Sequence, residues 1–100
     1  MNFRYKLHDI VFEWDTDKVD ANLLKHGIAF ELACEVFFDP LLKIEDAGII
    51  EGEAREAAVG LTIDWRLLFV VYTMRDEDNI IRLISARKTT DEERKRYENP

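Results

Sequence analysis

A single cysteine, Cys34, leaves no partner for a disulfide within the chain and argues against a cysteine-built metal site. Histidine is nearly as scarce. His8 and His26 lie far apart and do not form a ligand pair, so neither a metal nor a cofactor is expected. The chain has no Gly-rich phosphate loop and no G-x-S-x-G elbow, so nucleotide-loop and triad chemistry lack their signals. No apolar run approaches the roughly 20 residues of a membrane helix. The first residues, MNFRYKLHDI, lack the apolar core of a signal peptide. The expectation is a cytoplasmic protein with no membrane contact. Positive charge is in deficit too: 14 Lys and Arg stand against 21 Asp and Glu, a net charge of −7. That balance disfavours a general nucleic-acid surface, which leaves a basic footprint, and confines any anion site to a small patch.

What the chain does have is an ordinary globular composition: 47% apolar and 35% charged residues, with two tryptophans and six phenylalanines. One hundred residues suit a single domain spanning 1–100. The stretch Arg66–Lys88, RLLFVVYTMRDEDNIIRLISARK, organises the rest. Leu67–Thr73 is nearly continuous Leu, Phe, Val and Tyr, as in a strand covered on both faces. Ile80–Arg87 is a second strand that carries Arg82 and Arg87. Asp76–Asn79 is the turn between them. From Asn79 to Thr90 the chain has Arg82, Arg87 and Lys88 and no acid, a local reversal of its overall sign.

In chain order, a first strand is predicted over Ile10–Trp14, with Phe3, Tyr5 and Leu7 alternating ahead of it. Asp15 suits an N-cap for a helix over Thr16–His26, which Gly27 ends. A second helix is predicted over Phe30–Phe37, with the poor cap Ala29 before it and Asp39-Pro40 after it. Leu41–Glu45 reads as a short strand, Asp46–Glu53 as a loop and Arg55–Ile63 as an alternating, half-buried strand. Thr90-Asp91-Glu92-Glu93 is a capping box that opens the last helix. There is no repeat, low-complexity run or linker. The pattern predicts an α+β domain: an antiparallel sheet with two N-terminal helices and one C-terminal helix packed on it.

The chemistry-bearing residues are Lys25 and His26, Arg82, Arg87 and Lys88, and Glu53 with Arg55. Arginine, lysine and histidine without a metal suit phosphodiester cleavage in RNA: a base takes the 2′-hydroxyl proton, cations hold the charged phosphate and an acid protonates the leaving oxygen. Each residue also has a plain structural reading. Lys25-His26 suits the negative end of a helix. Arg82 suits an acid across the sheet. Arg87 and Lys88 suit solvated charge, Glu53–Arg55 an ion pair at a loop edge, and Cys34 a small buried apolar group. A regular pleat would put Arg82 and Arg87 on opposite faces, so a shared site needs a bulge near Ser85-Ala86.

Several short motifs come in a fixed order. They are FEWD at Phe12–Asp15, N-x-x-KHG at Asn22–Gly27, Phe30-Glu31, VF-x-DP at Val36–Pro40 and E-x-R at Glu53–Arg55. Gly60, RLLFVVYT-x-R at Arg66–Arg75, IRLISAR at Ile81–Arg87 and ER-x-x-YE at Glu93–Glu98 complete the series. Together they resemble the BrnT family of type II toxins, over about Ile10–Glu98, with Met1–Asp9 lying ahead of the match. The resemblance implies a RelE-like fold and an endoribonuclease toxin that inhibits translation. It implies a BrnA-type antitoxin with a ribbon-helix-helix DNA-binding part, in a complex that represses its own operon. RNA is the implied substrate, and operator DNA is reached only through the antitoxin, with the toxin as a homodimer or in a heterotetramer. Lys25, His26, Arg82 and Arg87 are the implied catalytic residues; Arg55 and Lys88 are expected to bind substrate. Two other readings stay beside it: a binding module that has lost catalysis but keeps antitoxin binding and operon regulation, and a small enzyme for an anionic metabolite.

Overall fold

The structure, a computed structural model, describes residues 1–99. Strand β1 (Asn2–Leu7) pairs antiparallel with β2 (Ile10–Asp15), and helix α1 (Thr16–His26) follows directly. Helix α2 (Phe30–Ala33) passes into a 3-10 helix over Cys34–Phe38. Strands β3 (Lys43–Ile50), β4 (Glu53–Leu61), β5 (Leu67–Arg75) and β6 (Ile80–Lys88) form a meander, and α3 (Asp91–Glu98) follows it. The six strands make one sheet in the order β1-β2-β6-β5-β4-β3.

The sheet is mixed, which corrects the expectation of a wholly antiparallel one: β2 runs parallel to β6, with Val11 opposite Ile80 and Glu13 opposite Arg82. Tight turns set the direction of the other pairs. No turn joins β2 to β6, so local sequence carried no signal for their direction. The first strand proves to be a hairpin. His8 and Asp9, at φ of 48° and 68°, form its two-residue turn. Such a turn needs positive φ at both positions and usually announces itself with Asn-Gly, which is absent here. Asp46–Glu53, expected as a loop, instead forms the end of β3 and a turn at Glu51-Gly52, where φ is again positive. The second helix is α-helical for only four residues before tightening to 3-10. Ala29 supplies no side-chain cap, so packing alone holds its start.

The sheet separates two apolar layers. On one face, Phe12, Trp14, Leu68, Val70, Tyr72, Leu83 and Ala86 pack against Ile28, Phe30, Ala33, Cys34 and Val36. On the other, Val59 and Leu67 meet Tyr97 of α3, with Phe69 and Leu61 alongside. Leu67–Thr73 is therefore interior and covered on both faces, as its continuous apolar sequence predicts. Cys34 is fully buried, and burial raises its thiol pKa.

Gly60 allows the 3-10 helix to lie against β4. A Cβ there would stand 2.9 Å from the Val36 carbonyl oxygen and 3.1 Å from the Val36 Cβ. Backbone cannot rotate away as a flexible side chain can. Gly60→Ala is expected to destabilise the fold by about 1–3 kcal/mol, the usual cost of overpacking. Urea denaturation would read this directly; an unchanged midpoint would mean that the 3-10 segment yields freely.

Candidate functional site

The pairing of β5 with β6 determines which side chains can meet. Thr73 opposes Arg82 and Tyr72 opposes Leu83, but Val71 opposes Ser85, leaving Ile84 as an extra residue. This bulge lies one residue before the Ser85-Ala86 position expected from the odd spacing of the arginines. It reverses the alternation, so Arg82 and Arg87, opposite Thr73 and Phe69, share the face that carries α3. Arg55 joins them, because its neighbour Glu56 opposes Tyr72 on the other face. The Arg82 and Arg87 rows are four residues apart on β5, roughly 13 Å along the strand.

Both arginines are engaged. Arg82 donates from Nη1 to Glu13 at 2.7 Å, and both its terminal nitrogens reach Asn2 Oδ1 at 3.2 Å. Arg4 approaches the same carboxylate at 3.4 Å. Burial alone would raise the Glu13 pKa, but the bonds and charges of Arg82 and Arg4 outweigh it and hold it below the usual range. Arg82 thus has the partner across the sheet that its structural reading required. Arg87 grips Glu93 through two bonds, at 2.8 and 2.9 Å, and its guanidinium lies 4.2 Å from the centre of the Phe69 ring. Glu93 also closes the capping box, accepting from the Thr90 N–H at 2.9 Å while Thr90 Oγ1 accepts from the Glu93 N–H. Its pKa is lowered, chiefly by the Arg87 bond. One carboxylate therefore ties β6 to the start of α3.

Arg55 differs. Its Nε is buried and has no hydrogen-bond partner. It lines a cleft of about 250 Å³ with Lys18, Arg75, Arg82, Glu51, Glu53, Ile50 and Ile84. Glu53 pairs at 2.6 Å with Arg75, so the expected Glu53–Arg55 pair gives way to a cross-strand one.

Lys25 and His26 close α1; the lysine is exposed and the histidine half-buried. The helix is anchored by Asn22, whose Nδ2 donates to the carbonyls of Ala86 at 2.8 Å and Ile28 at 3.0 Å. Its Oδ1 accepts from the Ala86 N–H at 3.0 Å. A primary amide presents one donor–acceptor pair just as a peptide group does. Asn22 therefore serves as the strand partner that β6 lacks beyond its pairing with β2. The anchor brings the last turn of α1 to the Arg87 end of β6. Lys88 is exposed and, opposite Leu68, points to the α1 side. The sheet thus divides the candidates: Arg55, Arg82 and Arg87 on the α3 side, and Lys88 on the other. Lys25 and His26 lie at the β6 edge between them.

Sequence reasoning held Asn22 only as part of the N-x-x-KHG motif and Glu93 only as part of the capping box, without their anchoring partners, and passed over Lys18, Arg75 and Glu13. It also missed Asp39, whose Oδ2 accepts from the Leu61 N–H at 2.8 Å and from the Tyr97 hydroxyl. Asp39 thereby joins the end of the 3-10 helix to β4 and α3. Burial would raise its pKa, but the bonds from Tyr97, Leu61 and Leu41 lower it, while Tyr97 is pushed up to about 12, first by burial and then by Asp39. The only available signal for Asn22, Arg75, Glu13, Glu93 and Asp39 was their place inside the motifs, and Lys18 lies outside all of them. Among the described residues, no three His, Cys, Asp or Glu side chains gather as a metal site, and no helix is long and apolar enough to cross a membrane.

The fold is similar to the crystal structure of the Brucella abortus ribonuclease toxin BrnT. The TM-score is 0.60 at 24% identity, over 78% of this chain and 94% of that one. No curated protein matches the sequence. The family model described as the ribonuclease toxin BrnT of type II toxin–antitoxin systems matches residues 14–93, from the strand that supplies Glu13 to the helix that supplies Glu93. With that match spanning most of its length, the chain belongs to the BrnT family of ribonuclease toxins, whose type II systems pair a toxin with an antitoxin.

Proposed function

We propose that this protein is an endoribonuclease with a RelE-like arrangement of sheet and helices, cleaving RNA without a metal ion and so inhibiting translation in the cytoplasm. The observation that carries the reading is the bulge at Ile84, which brings Arg82 and Arg87 onto the face that holds Arg55. The separation of roughly 13 Å between the arginine rows suits two phosphates of one strand better than a single phosphate. Each arginine then holds its own phosphate, with Arg55 adding charge. His26 at the β6 edge is the acid or base, and Lys25 and Lys88 supply positive potential beside it. A BrnA-type antitoxin with a ribbon-helix-helix part is the partner, covering Arg82 or Arg87 and taking the toxin to operator DNA.

One observation favours a second reading. Glu13 and Glu93 already occupy Arg82 and Arg87, as in a binding module that keeps the fold and the antitoxin surface without catalysis. Growth and RNA integrity during expression, with and without the neighbouring gene, separate the two. The ribonuclease reading expects arrested growth and cleaved RNA that the partner suppresses, and a purified chain that cuts RNA in the presence of chelator. Intact RNA and normal growth, with a partner that still co-purifies, would establish the binding module instead.

A further inference from the structure

We infer that the cleft beneath the β3–β4 hairpin is a second phosphate-binding subsite, with Lys18 and Arg75 as RNA-binding residues beside Arg55. The inference rests on the ribonuclease reading and adds to it residues from outside the IRLISAR and KHG motifs. Four cations, Lys18, Arg55, Arg75 and Arg82, face two carboxylates, Glu51 and Glu53, around this cleft. A local excess of positive charge stands out on a chain of net charge −7. An anionic strand repelled by the rest of the surface is drawn to such a spot. Arg82 and Arg75 are each paired with one carboxylate, at 2.7 and 2.6 Å. Among the described residues Lys18 and Arg55 form no ion pair, and the Arg55 Nε is a buried donor without an acceptor. Buried donors normally have partners, so an orphan at the wall of a cationic cleft marks a place where an acceptor from outside completes the set.

Size and shape narrow the ligand. A volume of about 250 Å³ admits one phosphate with its sugar and is too small for a folded partner. Ile50 and Ile84 supply an apolar wall against which a ribose or base edge can lie. Ile84 is the bulge residue, so the irregularity that aligns Arg82 with Arg87 also shapes this cleft. Arg82 belongs to both places. A strand held at Arg87 and Arg82 would find its next phosphate in the same cleft, with Arg55 level with Arg82 across β5 and Arg75 and Lys18 beside it. The ligand class is therefore a backbone phosphate of single-stranded RNA flanking the cleaved one. Arg75 must exchange Glu53 for that phosphate, which makes Glu53 a competitor for the site.

The test is fluorescence anisotropy of a labelled 2′-O-methyl RNA decamer, which cannot be cleaved through its 2′ position, titrated with purified protein over a salt series. Each lost phosphate contact lowers the salt slope by about 0.7 for a single strand. Arg75→Gln and Lys18→Gln should each reduce the slope by about that amount, and Glu53→Gln should tighten binding at low salt. Lys95→Gln, on α3, should change neither. Circular dichroism and thermal melts confirm that each variant is folded. Arg75 and Lys18 variants with the parental slope, while the parent binds and cleaves RNA, would overturn the subsite alone. A parent that neither binds the decamer nor cleaves RNA would overturn the subsite together with the reading beneath it.

Discussion

Replacing Asn22 with alanine is expected to remove about 3–5 kcal/mol of folding stability, by leaving three buried backbone groups without partners. The side chain lies in a buried position at the junction of α1 and β6, and every hydrogen-bonding position it uses there goes to backbone: Ala86 N–H, Ala86 carbonyl and Ile28 carbonyl. Alanine can neither supply these bonds nor admit water freely, so each group carries its desolvation cost. A domain of this size has a total stability on the order of 5–15 kcal/mol, so the loss would leave it marginal at 37 °C. Asn22→Asp is the informative companion. A carboxylate keeps the acceptor for the Ala86 N–H but loses both donors and buries a charge, so it should be no better than alanine. The measurements are urea denaturation and amide hydrogen exchange at Ala86, which should become fast in both variants. Stability within about 1 kcal/mol of the parent would mean that α1 does not depend on this anchor.

His26→Gln is expected to lower the rate of RNA cleavage by about 10²–10⁴-fold while leaving the fold intact, the usual effect of losing a general acid or base. His26 is half-buried at the end of α1, and among the described residues its imidazole makes no hydrogen bond, so glutamine should cost little stability. Gly27 at φ 72° caps the helix through its own N–H to the Leu23 carbonyl and does not need the imidazole. The assay is single-turnover cleavage of an RNA oligonucleotide. Binding of the uncleavable decamer should stay near parental. Arg87→Ala serves as a contrast, since it removes the proposed phosphate ligand and also the Glu93 and Phe69 contacts that fasten α3. It should therefore lose stability as well as activity. A His26→Gln protein that cleaves at the parental rate would take His26 out of the mechanism and leave the arginines to act with another base.

The elements that were legible in the sequence are those whose cause is local. The helix Thr16–His26 carries its own N-cap, Asp15, which accepts from the Asp17 N–H at 2.9 Å, and its own stop at Gly27. The capping box at Thr90 forms as its spacing requires. Leu67–Thr73 is nearly all apolar because it is covered on both faces, so its pattern identifies it. Elements whose cause is distant read poorly. The β1–β2 hairpin turns on His8-Asp9, which adopts positive φ without glycine and so lacks the usual marker. The 3-10 helix after Ala33 is set by how Val36 meets Gly60, a contact between residues far apart in the chain.

The candidate site follows the same division. Residue type alone nominated Lys25, His26, Arg55, Arg82, Arg87 and Lys88, because few side chains can hold a phosphate or move a proton near neutral pH. It could not say which of them share a face, since that depends on strand register, and one extra residue at Ile84 reverses every side chain beyond it. Nor could it pair Arg82 with Glu13 or Arg87 with Glu93. The first pairing needs β2 to lie parallel to β6, and the second needs α3 to fold back over Phe69. By itself the sequence determined an acidic α+β fold with a small cationic set near its end, because composition, capping and apolar periodicity act within a few residues. Only the tertiary structure decided that the sheet is mixed, that the arginines line up on one face with carboxylate partners, and that Asn22 takes the place of a missing strand. Those outcomes depend on hydrogen bonds between segments that are as many as 69 residues apart, and nothing within either segment encodes the other's position.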